Sequence, residues 1–381
     1  MRKSTLAAGV GILALAGTLV TAPASAQRGH HDRGPDILVD GLVGPLSLDV
    51  GDHGSVYVTQ SFAGTLSKVD RRGRVTDLHQ LEVTPPDAGE LTGVTYHRGA
   101  TYHVENDYSG EVPTSHIVRT SKRGHRTVVS DDLWAYEIAN NPDSSQTYGF
   151  RGLDDQCSAE VAGIEEVLGL PLDAYEGIVE SHAYQLDVHR GSVYVADAAA
   201  NAILRVSTRT GEVSTVAVLP STTTTMTAEI LATLGESLPE GVEFPDCVVG
   251  QEFTSESVPT DVQVARDGSL YVSTLGGIVG EVVPQSHVYR VTPWNGPVRE
   301  VADGLHGATG LALTRSGDIV VAEMFGGEVT LVRQHRRHTH VDTLFTADSP
   351  ADVAVDGRTL YATTGTMGES GAVETYRLRG H

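Results

Sequence analysis

The chain has 381 residues, 40% hydrophobic, 20% charged and 6% aromatic, with 27 basic against 49 acidic side chains and a net charge of −22. That acidity excludes a nucleic-acid binder, because phosphate contacts need clustered cations and only three lysines exist, Lys3, Lys68 and Lys122. The apolar fraction excludes global disorder, and the length allows one large domain or two to three ordinary ones.

From the amino terminus, Arg2 and Lys3 precede an apolar run from Leu6 to Val20 and then Ala24-Ser25-Ala26. A charged start, a short apolar centre and an Ala-x-Ala ending predict a secretory signal peptide over 1–26. The run of 15 residues falls short of a membrane span, and no second stretch reaches the required length of about 20. A polar leader over 27–36 follows, and the expected location is secreted.

Short β-type segments then recur. They are Ser55-Val56-Tyr57-Val58, Thr101-Tyr102-His103-Val104, Ser192-Val193-Tyr194-Val195, Ser269-Leu270-Tyr271-Val272, Asp318-Ile319-Val320-Val321 and Thr359-Leu360-Tyr361-Ala362. Aligning Tyr57, Tyr102, Tyr194, Tyr271, Val320 and Tyr361 gives spacings of 45, 92, 77, 49 and 41. Each segment follows an alternating strand such as Leu46–Val50 and a glycine-bearing turn, with Gly99, Gly191 and Gly268 among the turn residues. Third and fourth strands come after it, as at Ala202–Val206, His287–Val291 and Val298–Val301.

Four antiparallel strands per ~45 residues is the unit of a β-propeller blade. The predicted fold is therefore all-β: a six-bladed β-propeller over 37–381, with a β-sandwich array as the competing arrangement. The last unit offers three strands, and Ile37 to Leu42 supplies the fourth, closing the ring and hiding two sheet edges. The two long intervals predict insertions at about 134–177 and 221–257, each with one short helix, near Glu165–Leu170 and Met226–Leu234. Each insertion carries one of the two cysteines, Cys157 and Cys247. In an exported chain an even count favours a disulfide tying the insertions together, the alternative being two buried thiols.

The segments Ala135-Tyr136-Glu137-Ile138-Ala139-Asn140-Asn141-Pro142-Asp143, Tyr194 to Val206 and Val258-Pro259-Thr260-Asp261-Val262 resemble those of secreted six-bladed propellers of the ScyD/ScyE family. The resemblance spans nearly the whole mature chain and implies the fold and export, but no reaction. The blades are also similar to those of NHL-repeat, SMP-30-like and streptogramin-lyase propellers, whose metal-ligand motifs find no match here.

In a propeller, the loops entering the first strand and those joining the second and third gather around the channel mouth. Those positions hold Glu90, Glu180, His182, Asp261, His306 and Asp352, and then Gln60, Glu105, Asn106, Asp107, Asp197, Asn201 and Glu323. Converging carboxylates repel unless a cation sits between them, so calcium or magnesium is expected on some of Glu105, Asp197, Asp261, Glu323 and Asp352. The competing reading is that these acids cap loops by accepting backbone N–H groups. Glu90, His182, His306 and Asn201 are the candidate ligand-binding residues. His335, His338 and His340, with Arg333, Arg336 and Arg337, read as a solvated hairpin tip.

The sequence has no Gly-x-Ser-x-Gly elbow, His-Glu-x-x-His, phosphate loop or Cys-x-x-Cys. The functional expectation is a binding or scaffold protein whose partner is an extracellular protein, glycan or small molecule. The alternative is a metal-assisted lactonase or lyase, with Glu105 or Asp197 as base and His182 or His306 carrying the proton.

Overall fold

A computed structural model describes residues 34–378 except 83–87, 237, 240–241, 294–295, 336–337 and 369. The predicted signal peptide, most of the polar leader, and Arg336 and Arg337 lie outside the described residues. The described residues form seven four-stranded antiparallel sheets. Five are meanders of consecutive strands, spanning 45–80, 89–128, 183–218, 259–305 and 308–346. A sixth joins Val353–Asp356, Thr359–Thr364 and Gly371–Arg377 to the first strand of the chain, Asp36–Leu42, with Val39 opposite Val373. These are ring sheets 1 to 6 below. Their first strands touch in cyclic order, each meeting the next and the sixth meeting the first.

Local chemistry explains the hairpins. Arg98-Gly99 and Arg190-Gly191 are the two-residue loops between His97 and Ala100 and between His189 and Ser192, with φ of 49° and 82° in the first and 47° and 83° in the second. Both positions of such a turn are left-handed, which matches the right-handed twist of the strands and calls for glycine at the second. Alternating Val, Leu and Ile on the strands pack neighbouring sheets together, as Val193, Val195, Leu204 and Val206 of ring sheet 3 do against Val104 and Ile117 of ring sheet 2.

Carboxylates clip the ring on its inner side. Asp49 accepts the Tyr96 N–H at 2.6 Å, Asp187 that of Val264 at 2.8 Å, Asp261 that of Leu311 at 2.7 Å and Asp352 that of Leu48 at 2.8 Å. Each bond joins the first strand of one sheet, or for Asp352 the residue just before it, to the first strand of the next. Each aspartate also accepts the N–H of the residue after it, as Asp352 does from Val353 at 2.7 Å. Gln185 of ring sheet 3 links two further sheets, its amide donating at 2.8 Å both to Ser47 of sheet 1 and to Asp352 beside sheet 6.

The two insertions build one unit. Thr147–Phe150 and Tyr175–Glu176 from the first pair with Glu252–Ser255 and Thr222–Thr225 from the second to make the seventh sheet. Helices α1 (Leu133–Asn140), α2 (Asp155–Leu168) and α3 (Ala228–Gly235) accompany it, capped by Asp132, Asp154 and Thr227 accepting backbone N–H bonds. The sequence reading placed helix near the second half of α2 and at α3, but missed α1. Cys157 on α2 is disulfide-bonded to Cys247, and Phe150, Val161, Ile164, Met226, Leu231 and Phe253 pack around the bridge.

Candidate functional site

A cavity of about 170 Å³ lies between the insertion unit and the loops of the ring. The insertions supply Leu172, Tyr175 and Phe253, and the ring supplies His182, Tyr184 and Met324. Glu180, Glu256 and Glu281 belong to this mostly apolar wall, and among the described residues no Lys or Arg lines it. Burial pushes Glu256 and Glu281 each up to about 7, and raises Glu180 with help from Asp197. Glu256 accepts the Tyr175 hydroxyl at 3.0 Å.

Of the predicted ligand-binding residues only His182 lines this space; Glu90, His306 and Asn201 stand behind it, each bonded to a lining residue. His182 lines it, its Nε2 lying 2.8 Å from Glu90 Oε2 and its ring edge-on to Tyr184. Burial alone would lower the His182 pKa, but Glu90, Asp197 and Glu180 outweigh it and hold the imidazolium above its usual value. His306 Nε2 lies 3.1 Å from the Glu281 carbonyl oxygen. Asn201 is fully buried and left-handed at φ 52°, donating to Asp143 at 2.9 Å and accepting the Val258 N–H at 2.9 Å. It thereby joins the first insertion, ring sheet 3 and the segment that enters ring sheet 4.

The five carboxylates considered for a hard cation stand apart in three kinds of place. Asp261 and Asp352 are inner-strand clips; burial, and in Asp261 the facing Asp352 charge, raises both. Asp197 and Glu323 end the second strands of ring sheets 3 and 5 and hold the preceding loop, accepting the N–H of His182 and of His306 at 2.7 Å each. Ser181 and Thr330 hydroxyls satisfy their other oxygens at 2.7 Å. Gln60 fills the same place in ring sheet 1 by accepting the Val43 N–H at 2.9 Å. Glu105 sits in the seam between ring sheets 1 and 2 with His79, His103 and Arg126.

Sequence reasoning passed over four acids. Besides Glu256 and Glu281, these are Glu137 on α1 and Asp143 after it, both sealed from solvent. Neither oxygen of Glu137 and only one of Asp143 has a hydrogen-bond partner. Both belong to the segment that carries the resemblance; Glu137 stands among apolar and aromatic residues, which was an available signal, whereas Asp143 lies in a polar stretch and gave none. The strands Glu328–His335 and His338–Thr346 pair, with His335 and His338 as backbone partners at their end; Arg336 and Arg337 between them lie outside the described residues.

No family model matches the chain, and neither does any curated protein. Solved structures do match. An oxidoreductase described as a glucose dehydrogenase from Thermus thermophilus is 15% identical, with 90% of this chain and 99% of that one covered and a TM-score of 0.54. The PQQ-bound aldose sugar dehydrogenase of Streptomyces coelicolor is 14% identical over 90% and 96%, with a TM-score of 0.53. The fold is a β-propeller. Virginiamycin B lyase from Staphylococcus aureus also aligns, 15% identical over 88% and 98%, at a TM-score of 0.47. At such identities the likeness extends to the propeller and not to the chemistry it carries.

Proposed function

We propose that this chain is a secreted, six-bladed propeller of the ScyD/ScyE type, closed by its amino-terminal strand, that binds a small molecule beneath its insertion unit. The ligand has an apolar body and a cationic or hydrogen-bond-donating head. The observation that carries this reading is the cavity itself, mostly apolar, without Lys or Arg among the described residues that line it, and with Glu180, Glu256 and Glu281 in its wall. Acids raised toward neutrality release their protons to water when a cation arrives to pair with the carboxylate, and the imidazolium on the wall, His182, is already paired with Glu90. Glu90 and His182 form the polar end of the site, with His306 beside Glu281, and Asn201 holds the rim.

The disulfide suits an oxidising compartment, and among the described residues no helix is long and apolar enough to cross a membrane. A metal-assisted lactonase or lyase is the weaker reading, because Asp197, Asp261, Glu323 and Asp352 already accept protein N–H or hydroxyl groups.

The test is calorimetric titration of the mature protein with a panel of aryl-alkyl amines and their neutral and carboxylate counterparts. Saturable binding of amines that weakens at least about 10-fold in Glu256→Gln/Glu281→Gln, about 1.4 kcal/mol, supports the proposal. Binding indifferent to ligand charge and to these substitutions, or no binding across the panel, overturns it.

A further inference from the structure

We propose that His79, His103 and Glu105 form a transition-metal site, suited to zinc, in the seam between ring sheets 1 and 2. His79 lies on the outermost strand of sheet 1, Val75–Gln80, while His103 and Glu105 lie two apart on Ala100–Asp107, the second strand of sheet 2. Residues two apart on a strand share a face, so the pair points together toward the strand that carries His79.

The ligand atoms converge. His79 Nε2 is 3.1 Å and His103 Nε2 3.0 Å from Glu105 Oε1, and among the described residues this is the one group of three His, Cys, Asp or Glu ligand atoms lying within 4.8 Å of one another. A tetrahedral ion with bonds of about 2.0–2.1 Å separates its ligand atoms by roughly 3.3–3.4 Å, so each imidazole needs to part from Glu105 by only a few tenths of an ångström, the two imidazoles lying within 4.8 Å of each other.

The imidazoles are also poorly served as they stand. His103 is fully buried and its Nδ1 has no hydrogen-bond partner, and His79 Nε2 is buried with Glu105 Oε1 as its polar neighbour at 3.1 Å. Two imidazoles and one carboxylate suit zinc, whereas calcium seeks six to eight oxygens.

A cation already leans on this carboxylate. The Arg126 guanidinium contacts Glu105 Oε1 from Arg126–Val128, the exposed edge strand of the same sheet. It is a competitor that an arriving metal displaces into solvent. The fourth position falls to water, and ligands from two sheets would pin the seam.

The test uses the EDTA-stripped protein and zinc sulfate alone, read by equilibrium dialysis, with cobalt absorption reporting the ligand geometry. Wild type takes up a zinc that His79→Ala loses or binds more weakly than the roughly 10–100-fold drop that follows loss of an outer-shell partner. Arg126→Ala binds it more tightly than wild type. Because other histidines take up zinc weakly, equal uptake by wild type and a folded His79→Ala overturns the proposal, as does no uptake by wild type. Should His79→Ala fail to fold, as judged by circular dichroism, Arg126→Ala decides: tighter binding supports the site and unchanged binding overturns it.

Discussion

Replacing Glu137 with Gln tests whether the insertion unit holds a proton that solvent would remove. The side chain is sealed from solvent on α1 and neither oxygen has a partner. Burial first, then the charges of Asp197 and Asp143, push its pKa from 4.5 up to about 8. Between those values the folded protein holds the proton and the unfolded chain releases it, so stability falls as pH rises through that window. At pH 7 the difference corresponds to roughly 3 kcal/mol, of which local relaxation leaves on the order of 1–3 kcal/mol. Gln keeps the shape and carries no charge. Glu137→Gln is therefore expected to match wild type at pH 4 and to gain about 2–4 °C in melting temperature at pH 8. Thermal melts of the two proteins from pH 4 to pH 8 read this directly. A difference that does not change with pH, or a less stable Gln variant at pH 8, would refute the account of Glu137 as a buried, protonated acid.

Other outcomes follow from the same geometry. Asp352→Ala strands the Leu48 and Val353 N–H groups and the Gln185 amide, and is expected to cost on the order of 3 kcal/mol in denaturant unfolding; Asp352→Asn, which keeps an acceptor, costs less. Cys157→Ser/Cys247→Ser opens a closure of 90 residues, and loses about 4–5 kcal/mol on the chain-entropy view, seen as a lower melting temperature that wild type reproduces under reductant. In the cavity, Glu281 at about 7 makes amine binding strengthen from pH 5 to pH 8, because the carboxylate form attracts the cation; calorimetry across that range checks it, and Glu281→Gln should flatten the profile.

Alternation in Leu46–Val50, the recurrence of segments such as Ser192–Val195, turns at Arg98-Gly99 and Arg190-Gly191, and an even cysteine count were legible because each is a local signal: side-chain period, repeat, left-handed φ, and parity. These determine strands, hairpins and their recurrence. The tertiary structure alone decided how the acids are used. Asp352 meets Leu48 across 304 positions, and Glu105 meets His79 across a seam, contacts no local pattern encodes. Their convergence depends on how sheets pack around the ring, and so does the cavity, whose walls come from two insertions that merge into one sheet. Periodicity specifies which face of a strand is buried; only packing specifies what that face touches.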